Sequence, residues 1–211
     1  MLKHLPPRAL FMLATLVACF GGVSCSHYGS GPQGQDFKNK MVVSVKDQKM
    51  LLVSDGIPIK SYDISTSKYG LGDKPGSYRT PLGRMQVAKK IGNRAPLGSV
   101  FKSRKRTGEI LKPNAKGRDP IVTRILWLKG MEKRNRNAYR RLIYIHGTTE
   151  ESRLGEAVSY GCIRMASRDV ADLYRRVGWG ADVFVIKGSI KQPESNGAVA
   201  LLRRLTGDSG G

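Results

Sequence analysis

Downstream of residue 27 the 211-residue chain holds one histidine, His146, and one cysteine, Cys162, and both fall in one short stretch, LIYIHGTTEESRLGEAVSYGCIRM. Twelve residues separate His146 from Ser159, and Ser159-Tyr160-Gly161-Cys162-Ile163-Arg164 follows. A thiol becomes a strong nucleophile only when it ionises, and a neighbouring imidazole or oriented N–H groups can promote that. The same imidazole can carry a proton between attacking and leaving groups. Gly161 lets backbone N–H groups turn toward a developing oxyanion. The competing reading is bland: a lone cysteine is usually a small buried hydrophobe, and a lone histidine is often structural. Their pairing in one segment favours covalent catalysis. The other histidines and cysteines (His4, Cys19, Cys25 and His27) cluster at the N-terminus. No Cys/His group has zinc spacing and no disulfide framework is implied, so neither a metal nor a cofactor is expected.

The elements that must position this pair are mostly short strands. Residues 41–45 and 50–53 read as a hairpin around Lys46-Asp47-Gln48, and Asp55-Gly56 is a turn signal before a third strand over 57–64. Pro58 places the start of that strand at an edge or a bulge. The 65–83 loop, rich in Gly and Pro, is long enough to be functional. Strands are expected over 84–91, with Met85 and Val87 on one face, and over 121–128, 142–145 and 182–186. One helix is expected, with Ser167 as its N-cap, Asp169 in the first turn, Val170, Leu173, Tyr174 and Val177 on one face, and Gly178 as its stop. The 25 glycines fit a turn-rich, mainly β domain over about 39–188, with one or two short helices.

The flanks read differently. Residues 1–25 carry Lys3 and Arg8 before a ten-residue apolar run, which is too short to span a bilayer and reads as a secretory signal. Leu16-Val17-Ala18-Cys19 and Gly22-Val23-Ser24-Cys25 each resemble a lipobox, so an exported, lipid-anchored form through Cys25 or Cys19 is one expectation and plain cleavage another. Residues 26–38 read as a flexible Gly/Ser/Pro linker, and 189–211 as a loosely held tail. The formal net charge is +21, and residues 84–141 hold 18 Lys/Arg against Glu109, Asp119 and Glu132, or +15 of it. This segment reads as a solvated basic face on insertion loops, with anionic wall polymers or a membrane surface as candidate partners. Export and the scarcity of aromatics argue against nucleic acid.

The sequence over about 39–188 resembles the L,D-transpeptidases with a YkuD-type catalytic domain, which remodel bacterial peptidoglycan. The resemblance runs through the 41–50 hairpin, SYDISTSKYG at 61–70 and GSYRTPLG at 76–83, and it is most specific in His146…Ser159-x-Gly161-Cys162 with Arg164. It implies a β-sandwich-like sheet assembly with a short helix near the site. It also implies Cys162 as nucleophile, His146 as general base and acid, and the Gly147 carbonyl as the third group. The N–H groups of Gly161 and Cys162 become oxyanion donors, and Ser159 and Arg164 orient motif or substrate. Tyr160 stands where many members have His, and Arg164 where some have Asn. The implied activity is exchange of a stem tetrapeptide's terminal D-Ala for an amine acceptor through a thioester, with acylation by carbapenem-type β-lactams. Alternatives are an L,D-carboxypeptidase or crosslink-cleaving peptidase with the same pair, and a non-catalytic wall-binding lipoprotein.

Overall fold

The computed structural model describes residues 34–190. The signal-like segment, Cys19 and Cys25, most of the linker and the chain from residue 191 lie outside the described residues.

Alternating apolar residues build the first hairpin. β1 (Asn39–Ser44) pairs antiparallel with β2 (Lys49–Ser54), with Met41 opposite Leu52 and Val43 opposite Met50. Asp55 and Gly56 both have positive φ, the conformation a tight two-residue hairpin requires, and they lead into β3 (Ile57–Ser65). Pro58 sits at a register shift opposite Val53, a bulge that accommodates its missing N–H.

Next come β4 (Gly83–Ile91), β5 (Ser99–Lys102), β6 (Lys105–Ile110), β7 (Ile121–Gly130), β8 (Tyr144–Gly147), β9 (Ile163–Met165), α1 (Ser167–Arg176) and β10 (Asp182–Ile186). The sheet order is β4-β10-β1-β2-β3-β9-β8-β7-β5-β6, and an added β4–β7 pairing closes its first eight strands into a ring. The fold is mainly β with one α-helix, as expected. Inside the ring lie Met41, Met50, Ile64, Met85, Leu128, Ile145 and Ile163, joined by Val170, Leu173 and Tyr174 of α1. Each such aliphatic side chain contributes about 1.5–3 kcal/mol by leaving water.

Three expectations change. The basic stretch expected as insertion loop is the β5–β6 hairpin, turned by Ser103 and Arg104, both with positive φ. β9 is a three-residue strand within the motif that sequence periodicity could not resolve. Ser167 is the first helical residue and not the N-cap, which is Ala166; the Ser167 N–H donates instead to the Glu151 carboxylate at 2.8 Å. That bond satisfies one orphan donor of the first turn from a distant segment.

Both ends of the described chain are tied down. The Asp36 carboxylate accepts the Gly178 N–H at 2.6 Å and the Asn39 N–H at 3.0 Å. Asp47 accepts the Ser189 hydroxyl and the Ile190 N–H, and Ile190 packs on Val42, Leu51, Val53 and Phe184.

Candidate active site

β8 and β9 run parallel, with Ile145 opposite Ile163 and His146 opposite Arg164. Ile145 and Ile163 point into the ring. Side chains alternate along a strand, so His146 and Arg164 face outward. Cys162 lies one residue before β9 and continues the register opposite Tyr144, and both pack in an outer cluster with Phe101, Ile125 and Trp127. His146 and Cys162 therefore occupy diagonal positions on one face of neighbouring strands. Strand spacing and rise put their Cα atoms on the order of 8 Å apart, a span the two side chains can cover together.

His146 is 5% exposed, and its Nδ1 lies 2.8 Å from the Gly147 carbonyl oxygen. A carbonyl only accepts, so Nδ1 carries the proton and Nε2 keeps its lone pair. Burial pushes the imidazole down to about 4; the Gly147 bond opposes this, the Arg164 charge adds to it, and Asp119 opposes it. Cys162 is half-buried. Its Sγ donates to the Leu142 carbonyl at 3.4 Å and accepts from the Tyr144 N–H at 3.4 Å. Burial pushes the thiol up to about 11, against the Tyr144 N–H, Arg164 and Arg141, which lower it. Both shifts favour the uncharged forms, a thiol and a neutral imidazole.

Ser159 is fully buried and shapes the turn that leads into Cys162. Its Oγ donates to the Cys162 carbonyl at 2.6 Å and accepts the Gly161 N–H at 3.2 Å. The Gly161 N–H is thus engaged, whereas the Cys162 N–H has no partner among the described residues. This alters the expected pair of oxyanion donors, leaving Cys162 N–H as the open one. Gly161 has φ +116 and stands so close to the Tyr78 and Arg79 carbonyls that a Cβ would lie 3.4 and 3.3 Å from them. The 65–83 loop packs directly on the motif: Thr80 Oγ1 donates to the Gly161 carbonyl at 3.1 Å and accepts the Ser67 N–H at 3.0 Å. Tyr160 leans outward, its hydroxyl accepting from Lys68 Nζ at 3.2 Å and its ring meeting those of Tyr69 and Tyr78.

Two residues escaped the sequence reading. Asp119 looked like a stray acid in a basic segment. Its carboxylate accepts the Thr148 hydroxyl and the Thr149 N–H, the latter at 3.0 Å, and pairs with Arg164 at 3.0 Å. It therefore ties the chain just after His146-Gly147 to the residue two past Cys162. Burial alone would raise its carboxyl, but the Thr148 bond, the Arg164 charge and the Thr149 N–H hold it below the usual range. Arg164 also pairs with Glu150 at 2.9 Å, so the expected orienting residue is itself held by two acids. The second missed residue is Thr123, buried and at φ +70, in a bulge where β7 skips two residues opposite the His146-Gly147 step. A β-branched residue seldom adopts this conformation. Its Oγ1 accepts the Gly98 N–H at 2.9 Å and donates to Ser167 Oγ at 2.8 Å. Only the Asp119 neighbourhood left a sequence signal, as one of just three acids in the basic stretch.

Among the described residues no three His, Cys, Asp or Glu side chains converge as metal ligands.

The model of the YkuD L,D-transpeptidase catalytic domain matches residues 38–186. Comparison with curated proteins returned no match. Solved structures similar to the chain include an L,D-transpeptidase from Mycobacterium smegmatis (15% identity, TM-score 0.47, covering 73% of this chain and 59% of that one). One from Mycobacterium tuberculosis H37Rv has 18% identity and TM-score 0.46, covering 74% and 59%. An Enterococcus faecium L,D-transpeptidase mutant has 16% identity and TM-score 0.45, covering 71% and 50%. The chain spans less than two thirds of the length of these proteins. With the family model spanning most of its length, from before β1 to the end of β10, the chain belongs to the family of YkuD-type L,D-transpeptidase catalytic domains.

Proposed function

We propose that the protein is a cysteine L,D-transpeptidase acting on peptidoglycan stem tetrapeptides, with Cys162 as nucleophile and His146 as the base and acid. The observation that carries this reading is the imidazole on the same outer face as the sulfur, with Nδ1–H fixed by the Gly147 carbonyl and Nε2 left to take a proton.

Sγ attacks the carbonyl carbon of the third stem residue while its proton passes to Nε2. The oxyanion meets the Cys162 N–H. The C–N bond to the terminal D-Ala breaks, Nε2–H protonates the leaving amine, and a thioester remains. An acceptor amine then attacks the thioester carbonyl and gives its proton to Nε2. The C–S bond breaks, and the sulfur recovers the proton. Because burial favours the neutral forms of both groups, charge develops mainly as substrate displaces water. Ser159, Gly161 and the 65–83 loop hold the turn that presents Sγ, and Arg164 and Asp119 hold the end of β8. Tyr160 faces the substrate side. No metal or cofactor enters these steps.

The reading includes export to the periplasm or cell envelope, supported by the signal-like residues 1–25 and by the location of the substrate class. Lipid anchoring through Cys25 or Cys19 belongs to the same proposal. The basic residues on β5, β6 and their flanks suit anionic wall polymers or a membrane surface as secondary partners.

Purified protein incubated with tetrapeptide muropeptides and analysed by mass spectrometry should show an adduct on Cys162 lacking D-Ala, followed by crosslinked dimers. Cys162→Ala should abolish both, a loss of several orders of magnitude. Tripeptide alone would indicate the hydrolytic alternative, and full function in Cys162→Ala would overturn catalysis altogether.

A further inference from the structure

Across the ring from β8, the outer face of β10, β1 and β2 is apolar. Val42, Leu51, Val53 and Phe184 alternate with neighbours that point into the ring, so they point away from it. The register sets Phe184, Val42 and Leu51 in one row across the three strands. The outer face of an antiparallel sheet is ordinarily polar and wet. Here Val42 and Val53 are fully buried, and Leu51 and Phe184 nearly so. Among the described residues, the hydrophobic side chains packed on them are Ile186 and Ile190, both only partly buried. Ile190 is held at the far end of β2, where Asp47 of the β1–β2 turn accepts the Ile190 N–H and the Ser189 hydroxyl. Val53 lies four residues along β2 from the start of that strand, about 13 Å away, and needs a cover of its own. Beside the row runs a groove of about 230 Å³, lined by Leu51, Pro58, Ile59 and Ile190 together with Lys49 and Lys60. Ile59 is 44% exposed. Lys49 pairs with Asp63 and Lys60 with Asp172, so the groove offers little uncancelled charge and suits an apolar occupant.

We infer that this face is the docking site of the chain's own segment 191–211, which folds back from Ile190 and lays a short amphipathic helix along the row. The sequence of that segment carries the pattern such a surface needs. Ala198, Leu201, Leu202 and Leu205 recur at i, i+3, i+4 and i+7, which gathers them on one helical face. Asn196 precedes the run, Arg203 and Arg204 fall in its last turn, and Gly207 ends it. A helix over 198–205 is about 12 Å long, close to the roughly 14 Å that the four strands β10, β1, β2 and β3 span. Residues 191–197 can reach about 24 Å, ample to carry the helix from Ile190 onto the row. A helix this short does not hold together alone in water, so its apolar face and the sheet's outer face each supply what the other lacks. The face lies across the ring from His146 and Cys162, so this inference is independent of the transpeptidase reading.

Photocrosslinking in the full chain tests the docking. With Leu202→benzoylphenylalanine, irradiation followed by peptide mass spectrometry should give crosslinks within one molecule to β1, β2, β3 or β10. Crosslinks between two molecules overturn the inference in favour of a second copy on this face. Crosslinks confined to residues 1–33 or to other strands, or none at all, overturn it as well. Thermal unfolding supplies a second measurement. Leu201→Asp with Leu202→Asp should lower the melting temperature of the full chain by about 5–10 °C and raise binding of an apolar-surface dye several-fold. Arg203→Gln with Arg204→Gln, off the apolar face of the same helix, should leave the melting temperature within about 2 °C. An aspartate variant that melts and binds dye like the wild-type protein means that the segment does not cover the sheet.

Discussion

Burial favours the uncharged forms of Cys162 and His146, and this sets how the site should respond to pH. With the thiol pushed up to about 11, alkylation of Cys162 by iodoacetamide should be slower than that of a free cysteine at pH 8 by roughly two orders of magnitude, and should rise steadily toward pH 11. A reaction as fast as free cysteine would mean that the sulfur is ionised in the resting site. The same shifts bear on stability. His146 titrates near 4 when folded and near ~6.5 when unfolded, so its contribution is present above ~6.5 and lost as the pH falls toward 4. Cys162 runs the other way, its contribution being present below ~8.5 and lost as the pH rises toward 11. Urea midpoints should therefore be highest between about pH 6.5 and 8.5 and decline on both sides.

Asp119 gives a second test at this scale. Asp119→Asn keeps the shape but removes one of the two acids on a nearly buried Arg164, so about 3 kcal/mol of stability should be lost in chemical denaturation. Losing the Asp119 charge, which raises the imidazole, should also depress it further, moving the acid limb of the pH–rate profile to lower pH. An unmoved limb would reduce Asp119 to a structural role. His146, Cys162 and the glycines around them were legible from residue type and spacing. Asp119 was not, because its importance comes from a fold-made contact across separate segments.

At the scale of elements, the face that carries His146 and Cys162 depends on a bulge. β7 skips Thr123 and Arg124 opposite the His146-Gly147 step, and such bulges re-aim side chains beside functional sites. Gly147 is fitted to that irregularity, since a Cβ there would lie 2.6 Å from the Val122 carbonyl oxygen and 3.2 Å from both Thr123 and Val170. Gly147→Ala should push β8 off β7, cutting turnover at least ~10-fold and destabilising the fold by about 1–3 kcal/mol, read by kinetics and thermal unfolding. Wild-type behaviour would mean that the bulge has slack. The strands that line the ring were visible in the sequence because apolar residues alternate along them. The β5–β6 hairpin was not, since β6 is exposed throughout and Ser103-Arg104 lacks the glycine that usually marks such a turn. The start of α1 was misplaced by one residue because Glu151, sixteen positions upstream, does the capping that Ser167 seemed placed to do.

At the scale of the whole molecule, closure through β4–β7 leaves the eight-strand ring without a free edge among the described residues. Hydrogen exchange should report this as slow amides in β1, β2 and the β4–β7 seam, and fast ones along the outer side of β6. Equal rates across the sheet would contradict the ring. β6 is the strand that ends the ladder, and an unpaired ladder is a template for other chains to add to. Lys105 and Arg106 stand on it, exposed, beside exposed Lys102 and half-buried Arg104. A second copy approaching this edge meets like charge before it meets a hydrogen-bonding groove. The cationic tip of the hairpin thus serves as a guard against fibril growth, and exchanging Lys105 and Arg106 for valine should make the protein seed thioflavin-positive aggregates while its enzymology stays intact.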